Sequence, residues 1–139
     1  MWVQFPLKAF MNILFTGLLI VTAYAPNTTR INGGRYDATG LLVDKYTIAC
    51  APKYQAHVFV FDTDIPGPDI RICSDRGLMV WGNHVDIAVL GENRLQNAIQ
   101  WGKRQVKVTI ITPEEYLKAH NIPIPKTSKD KILAIRKTL

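Results

Sequence analysis

Two aspartates, Asp75 and Asp86, are the residues most able to do chemistry in this chain. Each lies at or just beyond a short apolar segment, and the stretch between them carries two glycines, Gly77 and Gly82, and one aromatic residue, Trp81. A loop of this kind between two strands can bring both carboxyl groups to one rim. Carboxylates in different environments can divide the roles of proton donor and anionic partner, as glycosidic cleavage requires. The same spacing also fits a turn aspartate and a solvated strand aspartate, so the pattern by itself leaves the choice open.

The composition limits the classes of protein to which the chain can belong. It has 139 residues, 47% of them apolar, with 17 Lys and Arg against 11 Asp and Glu, a formal charge of +6. This length supports one domain with a core, and the apolar content excludes a disordered chain. The basic balance favours an anionic partner. Nucleic acid is not expected, because no motif that reads nucleic acid accompanies the charge.

Short β-strands dominate the middle of the chain. Alternating or continuous apolar runs predict strands over 46–50, 57–61, 69–73, 84–89 and 105–111. A helix over 92–101 interrupts them, with Leu95, Ala98 and Ile99 on one face. Thr112 and Pro113 predict the start of a second helix through about His120, and Ser128 is the expected cap of a last helix carrying Ile132, Leu133 and Ile135.

The first 25 residues have two interpretations. Lys8, the apolar run 9–21 and the small residues Ala23 and Ala25 fit an export signal, whereas the β-branched and aromatic residues of 18–24 fit a buried strand. An internal start at Met11 is a further alternative.

Two cysteines lie in apolar segments, Cys50 and Cys73. Two separate buried thiols are the commoner arrangement, and a disulfide in an exported protein is the alternative. With His57 and His84 they show no spacing typical of a zinc site, so no metal is expected.

Six segments occur in an order that resembles a known family. They are Val21-Thr22-Ala23-Tyr24, Asp37-Ala38-Thr39-Gly40, Thr47-Ile48-Ala49-Cys50-Ala51-Pro52-Lys53, Ser74-Asp75-Arg76-Gly77, Trp81-Gly82-Asn83-His84-Val85-Asp86-Ile87 and Trp101-Gly102-Lys103-Arg104-Gln105-Val106-Lys107-Val108. Together they resemble the three-aspartate (3D) domain of bacterial cell-wall enzymes, which is related to lytic transglycosylase A, rare lipoprotein A and expansins. The resemblance covers about 21–111. Because it implies that 22–24 belongs to the first strand of the domain, we expect this segment to be retained in the mature protein.

The resemblance implies a mainly β fold, a six-stranded double-psi β-barrel over 21–111. An apolar segment would precede it over 1–20 (signal-like or the first strand), and a helical tail would follow over 112–139. It also implies a groove for peptidoglycan glycan strands in which Asp86 is the catalytic acid and base and Asp75 its partner. No cofactor or metal is required. The expected substrate contacts are Tyr24, Thr39, Gly77, Trp81, Gly82 and His84.

This sequence departs from the family pattern at two places. Ala51 replaces the first family aspartate, and Arg76-Gly77-Leu78 replaces the usual Thr-Gly-Gly.

The resemblance as a whole implies a lytic transglycosylase of a bacterial envelope or of a phage. The C-terminal tail would be a contact to a virion or envelope partner. A non-catalytic expansin-like glycan-binding module and a structural virion component are the alternatives.

Overall fold

Six strands close into a barrel in the computed structural model, which describes residues 13–26, 36–77, 80 and 82–139. The strands are β1 (Ile13–Tyr24), β2 (Thr47–Ala49), β3 (Val58–Phe61), β4 (Ile70–Asp75), β5 (His84–Ala88) and β6 (Arg104–Ile111). Around the barrel they follow the order β1-β5-β2-β4-β3-β6. The pairs β1/β5 and β2/β4 are parallel and the others antiparallel. The mainly β fold class and the closed six-stranded barrel are confirmed.

The strand interpretation of the N-terminal region applies to 13–24, because β1 pairs with both β5 and β6. Its inward residues Leu19 and Val21 join the core of the barrel with Ile48, Val85 and Ile87. Alternate residues of a strand point to opposite faces. Thr22, next to Val21, therefore belongs to the outer face of the barrel.

Three α-helices complete the described part of the chain, together with one 3₁₀ helix over Pro52–Tyr54. The α-helices are α1 (Arg94–Trp101), α2 (Pro113–Ala119) and α3 (Ser128–Arg136). In α1 the buried residues are Ala98 and Trp101, whereas Leu95 and Ile99 are 63% and 71% exposed. The prediction that Leu95 and Ile99 belong to the buried face was therefore wrong, whereas that for Ala98 is confirmed. Trp101 turns inward instead, and its Nε1 donates to the carbonyl of Val21 at 3.1 Å. Within the described residues, no helix has the length and apolar character needed to cross a membrane.

The two C-terminal helices pack on the barrel. Tyr116, Leu117, Ile132 and Ile135 form a second buried cluster with outward residues of the strands, such as Ile72. Thr112 caps α2 as predicted, accepting a hydrogen bond from the Glu115 amide at 3.2 Å. The cap of α3 is Thr127 instead of Ser128, since the Thr127 hydroxyl accepts from the Asp130 amide at 3.1 Å. Leu133 of α3 is partly exposed.

Tyr116 makes the stability of this helical layer sensitive to alkaline pH. Its hydroxyl is 2.5 Å from that of Thr138, and burial raises the pKa of Tyr116 above its ordinary value of 10.0. Because the unfolded chain releases the Tyr116 proton at a lower pH than the folded protein, burial of Tyr116 contributes fully to stability below about pH 10. This contribution is lost as the pH rises through the pKa of Tyr116 in the folded protein.

We expect the free energy of unfolding to fall less steeply above pH 10 in Tyr116→Phe than in the wild type. Urea unfolding at a series of alkaline pH values measures this slope. The exposed Tyr36→Phe is the matched control and should keep the wild-type slope. Equal slopes in wild type and Tyr116→Phe would contradict the assignment of this pH dependence to Tyr116.

Cys50 and Cys73 form a disulfide with Cα atoms 5.9 Å apart, so the separate thiols favoured by the sequence are replaced by a bridge. The pairing follows from topology: Cys73 lies beside Ile48 of β2, and Cys50 directly follows that strand. A crosslink closing a loop of 23 residues restricts the unfolded chain.

Reduction of this disulfide should lower the free energy of unfolding by about 3 kcal/mol. Urea titrations of oxidised protein and of protein reduced with its thiols left unmodified provide the comparison. A midpoint that does not move on verified reduction would show that the bridge does not stabilise the fold.

Candidate active site

A row of four residues crosses four neighbouring strands on the outer face of the barrel. Ala49 of β2 is in register with Asp75 of β4 on one side and with Asp86 of β5 on the other, and Asp86 is in register with Thr22 of β1. Residues in register share a face of the sheet. The two aspartates therefore lie on one face with a single strand between them, their backbones about 10 Å apart.

A β-bulge places Asp75 in this row. Ile48 pairs with Cys73, but the next residue, Ala49, pairs with Asp75, so β4 advances by two residues while β2 advances by one. In a regular ladder Ser74 would oppose Ala49 and Asp75 would share the inward orientation of Cys73. The extra residue brings Asp75 to the outer face, where Asp86 lies.

A cleft of about 150 Å³ opens at this row. Its lining residues are Tyr24, Ala49, Asp75, Arg76, Gly77 and Asp86. Ala49 forms the floor between the carboxylates because its small side chain leaves the space above β2 open. The two predicted catalytic residues and two of the predicted substrate contacts thus meet in one cleft.

Asp75 is the more enclosed of the two carboxylates, with 4% of its surface exposed. Its Oδ2 accepts a hydrogen bond from the Tyr24 hydroxyl at 3.0 Å, and its Oδ1 accepts from the Arg76 amide at 2.9 Å. An ionised carboxylate is purely an acceptor, so donors to both oxygens suit that state. Asp75 is held in place as a fixed negative group at the side of the cleft.

Asp86 is half-buried and accepts a hydrogen bond from Thr22. The Thr22 hydroxyl lies 3.0 Å from Asp86 Oδ1 and 2.7 Å from His84 Nε2. His84 and Asp86 are two residues apart on β5 and therefore share its outer face. Asp86 is thus the more exposed carboxyl group of the pair.

The remaining predicted contacts lie elsewhere or outside the described residues. Thr39 belongs to a turn around Asp37, whose Oδ1 accepts hydrogen bonds from the Thr39 amide and hydroxyl, and it does not line the cleft. Gly82 is exposed, with a positive φ of 63° that suits glycine, and it precedes β5. Trp81 lies outside the described residues.

Thr22 is the residue of this site that the sequence reasoning missed. The resemblance implies Tyr24 as the only contact on β1, and Thr22 enters it only as part of the segment 21–24. The available signal was the alternation of β1, which places Thr22 and Tyr24 on the same face.

A larger cavity of about 440 Å³ is lined by Arg71, Lys45, Leu90 and other residues, none of them a predicted site residue. The Arg71 side chain is fully buried and donates from Nε to the carbonyl of Pro68 at 2.7 Å and from Nη1 to that of Ala88 at 2.9 Å. It also donates from Nη2 to the carbonyl of Pro66. Burial lowers the pKa of Arg71 to about 10, although Tyr24, Asp44 and Asp69 partly offset this effect.

Comparisons with known proteins give a limited likeness. No family model matches the chain, and no curated protein matches it. Among solved structures, two of Escherichia coli lytic transglycosylase MltA are similar, one of them an apo form of a variant, each with a TM-score of 0.47 and 13% or 14% sequence identity. In both cases the match covers 56% of this chain and 27% of the MltA chain, so the matched part of this chain spans about a quarter of that protein.

Proposed function

We propose that this protein cleaves peptidoglycan glycan strands as a lytic transglycosylase, with Asp86 as the acid and base. The observation that carries the proposal is the cleft in which Asp75 and Asp86 flank Ala49. The choice of peptidoglycan as substrate rests on the resemblance of the sequence to cell-wall 3D domains. The +6 charge of the chain is compatible with an anionic wall polymer.

The difference between the two carboxyl groups supports a division of roles. Asp86 is accessible and has the geometry of the group that touches substrate. Asp75 is enclosed and held by Tyr24 and the Arg76 amide, so it acts as a fixed charge beside the reacting centre. A partly exposed carboxyl group beside an anchored one suits acid and base catalysis by Asp86, with Asp75 as its fixed partner.

The proposed reaction uses Asp86 twice. Its carboxyl proton passes to the glycosidic oxygen as the bond from that oxygen to C1 breaks, and the leaving strand departs with a new hydroxyl group. The Asp86 carboxylate then removes the proton from the 6-hydroxyl of the same sugar, whose oxygen bonds to C1 and closes a 1,6-anhydro ring. No water is consumed, and Asp86 is protonated again at the end.

A non-catalytic glycan-binding module is the second candidate, favoured by one observation. Ala51 replaces the first aspartate of the family pattern, and its buried methyl group offers no carboxylate in that place. Such a protein would bind glycan strands in the same cleft without cleaving them.

Incubation of the purified protein with peptidoglycan sacculi, followed by mass spectrometry of the soluble fraction, distinguishes the candidates. The proposal predicts muropeptides with 1,6-anhydro ends. Products with reducing ends would indicate hydrolysis and contradict the ring-closing step. Binding to sacculi without soluble products would favour the binding module, and neither binding nor release would favour a structural role such as a virion component.

A further inference from the structure

The Thr22 side chain lies between those of His84 and Asp86 on β5. Three hydrogen-bonding atoms surround its hydroxyl group, which has only one proton to donate. His84 Nε2 is 2.7 Å from Thr22 Oγ1, Asp86 Oδ1 is 3.0 Å from it, and the carbonyl oxygen of Val85 is 3.4 Å away. A threonine hydroxyl has one proton to donate and lone pairs with which to accept. The hydroxyl therefore donates fully to only one of these three neighbours.

The state of His84 decides which neighbour receives that proton. If Nε2 carries a proton, it donates to Thr22 Oγ1, and the hydroxyl proton is directed to the two oxygens, of which Asp86 Oδ1 is the closer. If Nε2 is unprotonated, it is the nearest acceptor and accepts the hydrogen bond from the Thr22 hydroxyl. Asp86 then loses the hydrogen bond from Thr22.

We propose that His84 is a positioning residue that donates from Nε2 to Thr22 and so holds the Thr22 hydroxyl on Asp86. The role in catalysis rests on the proposed function, whereas the hydrogen-bonded chain from His84 through Thr22 to Asp86 does not. His84 acts through Thr22, in register with Asp86 across the β1/β5 pair.

The hydrogen bond from Thr22 matters most when Asp86 is ionised. A hydrogen bond from a neutral hydroxyl to a carboxylate is stronger than one between neutral groups. The bond thus fixes the orientation of the Asp86 carboxyl group and stabilises the carboxylate formed midway through the proposed reaction. Among the described residues that line the cleft, the other ionisable groups are Asp75 and Tyr24, which are hydrogen-bonded to each other, and Arg76.

Nitrogen NMR of the imidazole rings tests the chain of hydrogen bonds without any activity. In the wild type we expect neutral His84 to carry its proton on Nε2, with exchange of that proton at least tenfold slower than in Thr22→Val. Thr22→Ser should restore the slow exchange because it keeps the hydroxyl. The resonances of His57, whose Nδ1 is hydrogen-bonded to the Gln55 carbonyl, are the internal control.

A neutral His84 with its proton on Nδ1, or an Nε2 proton that exchanges equally fast in wild type and Thr22→Val, would overturn the proposal. Equal perturbation of His57 and His84 in Thr22→Val would also overturn it, because the effect would then be a general loss of structure.

Kinetics with soluble glycan strands tests the catalytic consequence. We expect Thr22→Val to lower kcat roughly tenfold with little change in KM. The missing hydrogen bond would stabilise the Asp86 carboxylate, which forms only after the substrate has bound. Thr22→Ser should recover most of kcat. Wild-type kcat in Thr22→Val would overturn the positioning role. An inactive wild type would instead contradict the proposed function, and the imidazole measurement would still decide whether the hydrogen-bonded chain exists.

Discussion

Replacing Asp86 by Asn should reduce the release of anhydro-muropeptides by about 10²- to 10⁴-fold, the usual contribution of a general acid and base. An amide can neither give its proton to the glycosidic oxygen nor accept one from the 6-hydroxyl. The Asn oxygen still accepts a hydrogen bond from Thr22, so we expect the variant to fold and to keep its affinity for sacculi. Product release over time, measured by mass spectrometry, gives the ratio of rates.

Asp64→Asn is the matched control for this variant. Asp64 is exposed in the turn after β3 and lies outside the cleft, so the same chemical change there should leave the rate within experimental error. Full activity in Asp86→Asn would remove that residue from the mechanism. An equal loss in Asp64→Asn would show that the assay responds to charge instead of to catalysis.

Among the substitutions, the largest effect on stability is expected at Arg71, where Arg71→Lys should lower the free energy of unfolding by about 3 kcal/mol. The guanidinium reaches carbonyls of Pro66, Pro68 and Ala88 from separate nitrogens, which joins the turn after β3 to the end of β5. A single lysine ammonium cannot reach acceptors spread in this way, and it remains a buried charge. Urea unfolding measures the difference.

Arg104→Lys provides the comparison at a surface position. Arg104 is exposed and lies 4.1 Å from the centre of the Trp101 ring, a contact that lysine also makes, so the expected change is below about 1 kcal/mol. Arg71→Met removes the charge as well as the donors, and we expect it to be destabilising because the carbonyls lose their partners. Wild-type stability in both Arg71 variants would contradict a structural role for this side chain.

Much of the fold was predictable because local patterns agreed with the final packing. The alternation in 105–111 marked β6, and the Thr112-Pro113 pair marked the start of α2, since both signals depend on residues that are neighbours in sequence. The position of Asp86 on β5 could be predicted for the same reason. His84 follows from it by the two-residue period of a strand.

Features set by contacts between distant segments could not be predicted in this way. The bulge that turns Asp75 outward exists only because β4 pairs with β2, and no residue near Asp75 in the sequence predicts it. Leu95 and Ile99 had the spacing of an apolar helix face, but the orientation of α1 is set by Trp101 and its bond to Val21. The Cys50–Cys73 bridge likewise depends on which strands are neighbours.

An amide NMR titration of the Asp86→Asn protein with an uncleaved peptidoglycan glycan oligomer is the most direct test of the central claim. Since the two carboxyl positions are proposed to face one sugar, the largest shifts should fall on Tyr24, Ala49, Asp75 and Gly77, which line the cleft. Shifts concentrated instead around the cavity of Arg71 and Leu90, or no saturable shifts at all, would contradict it.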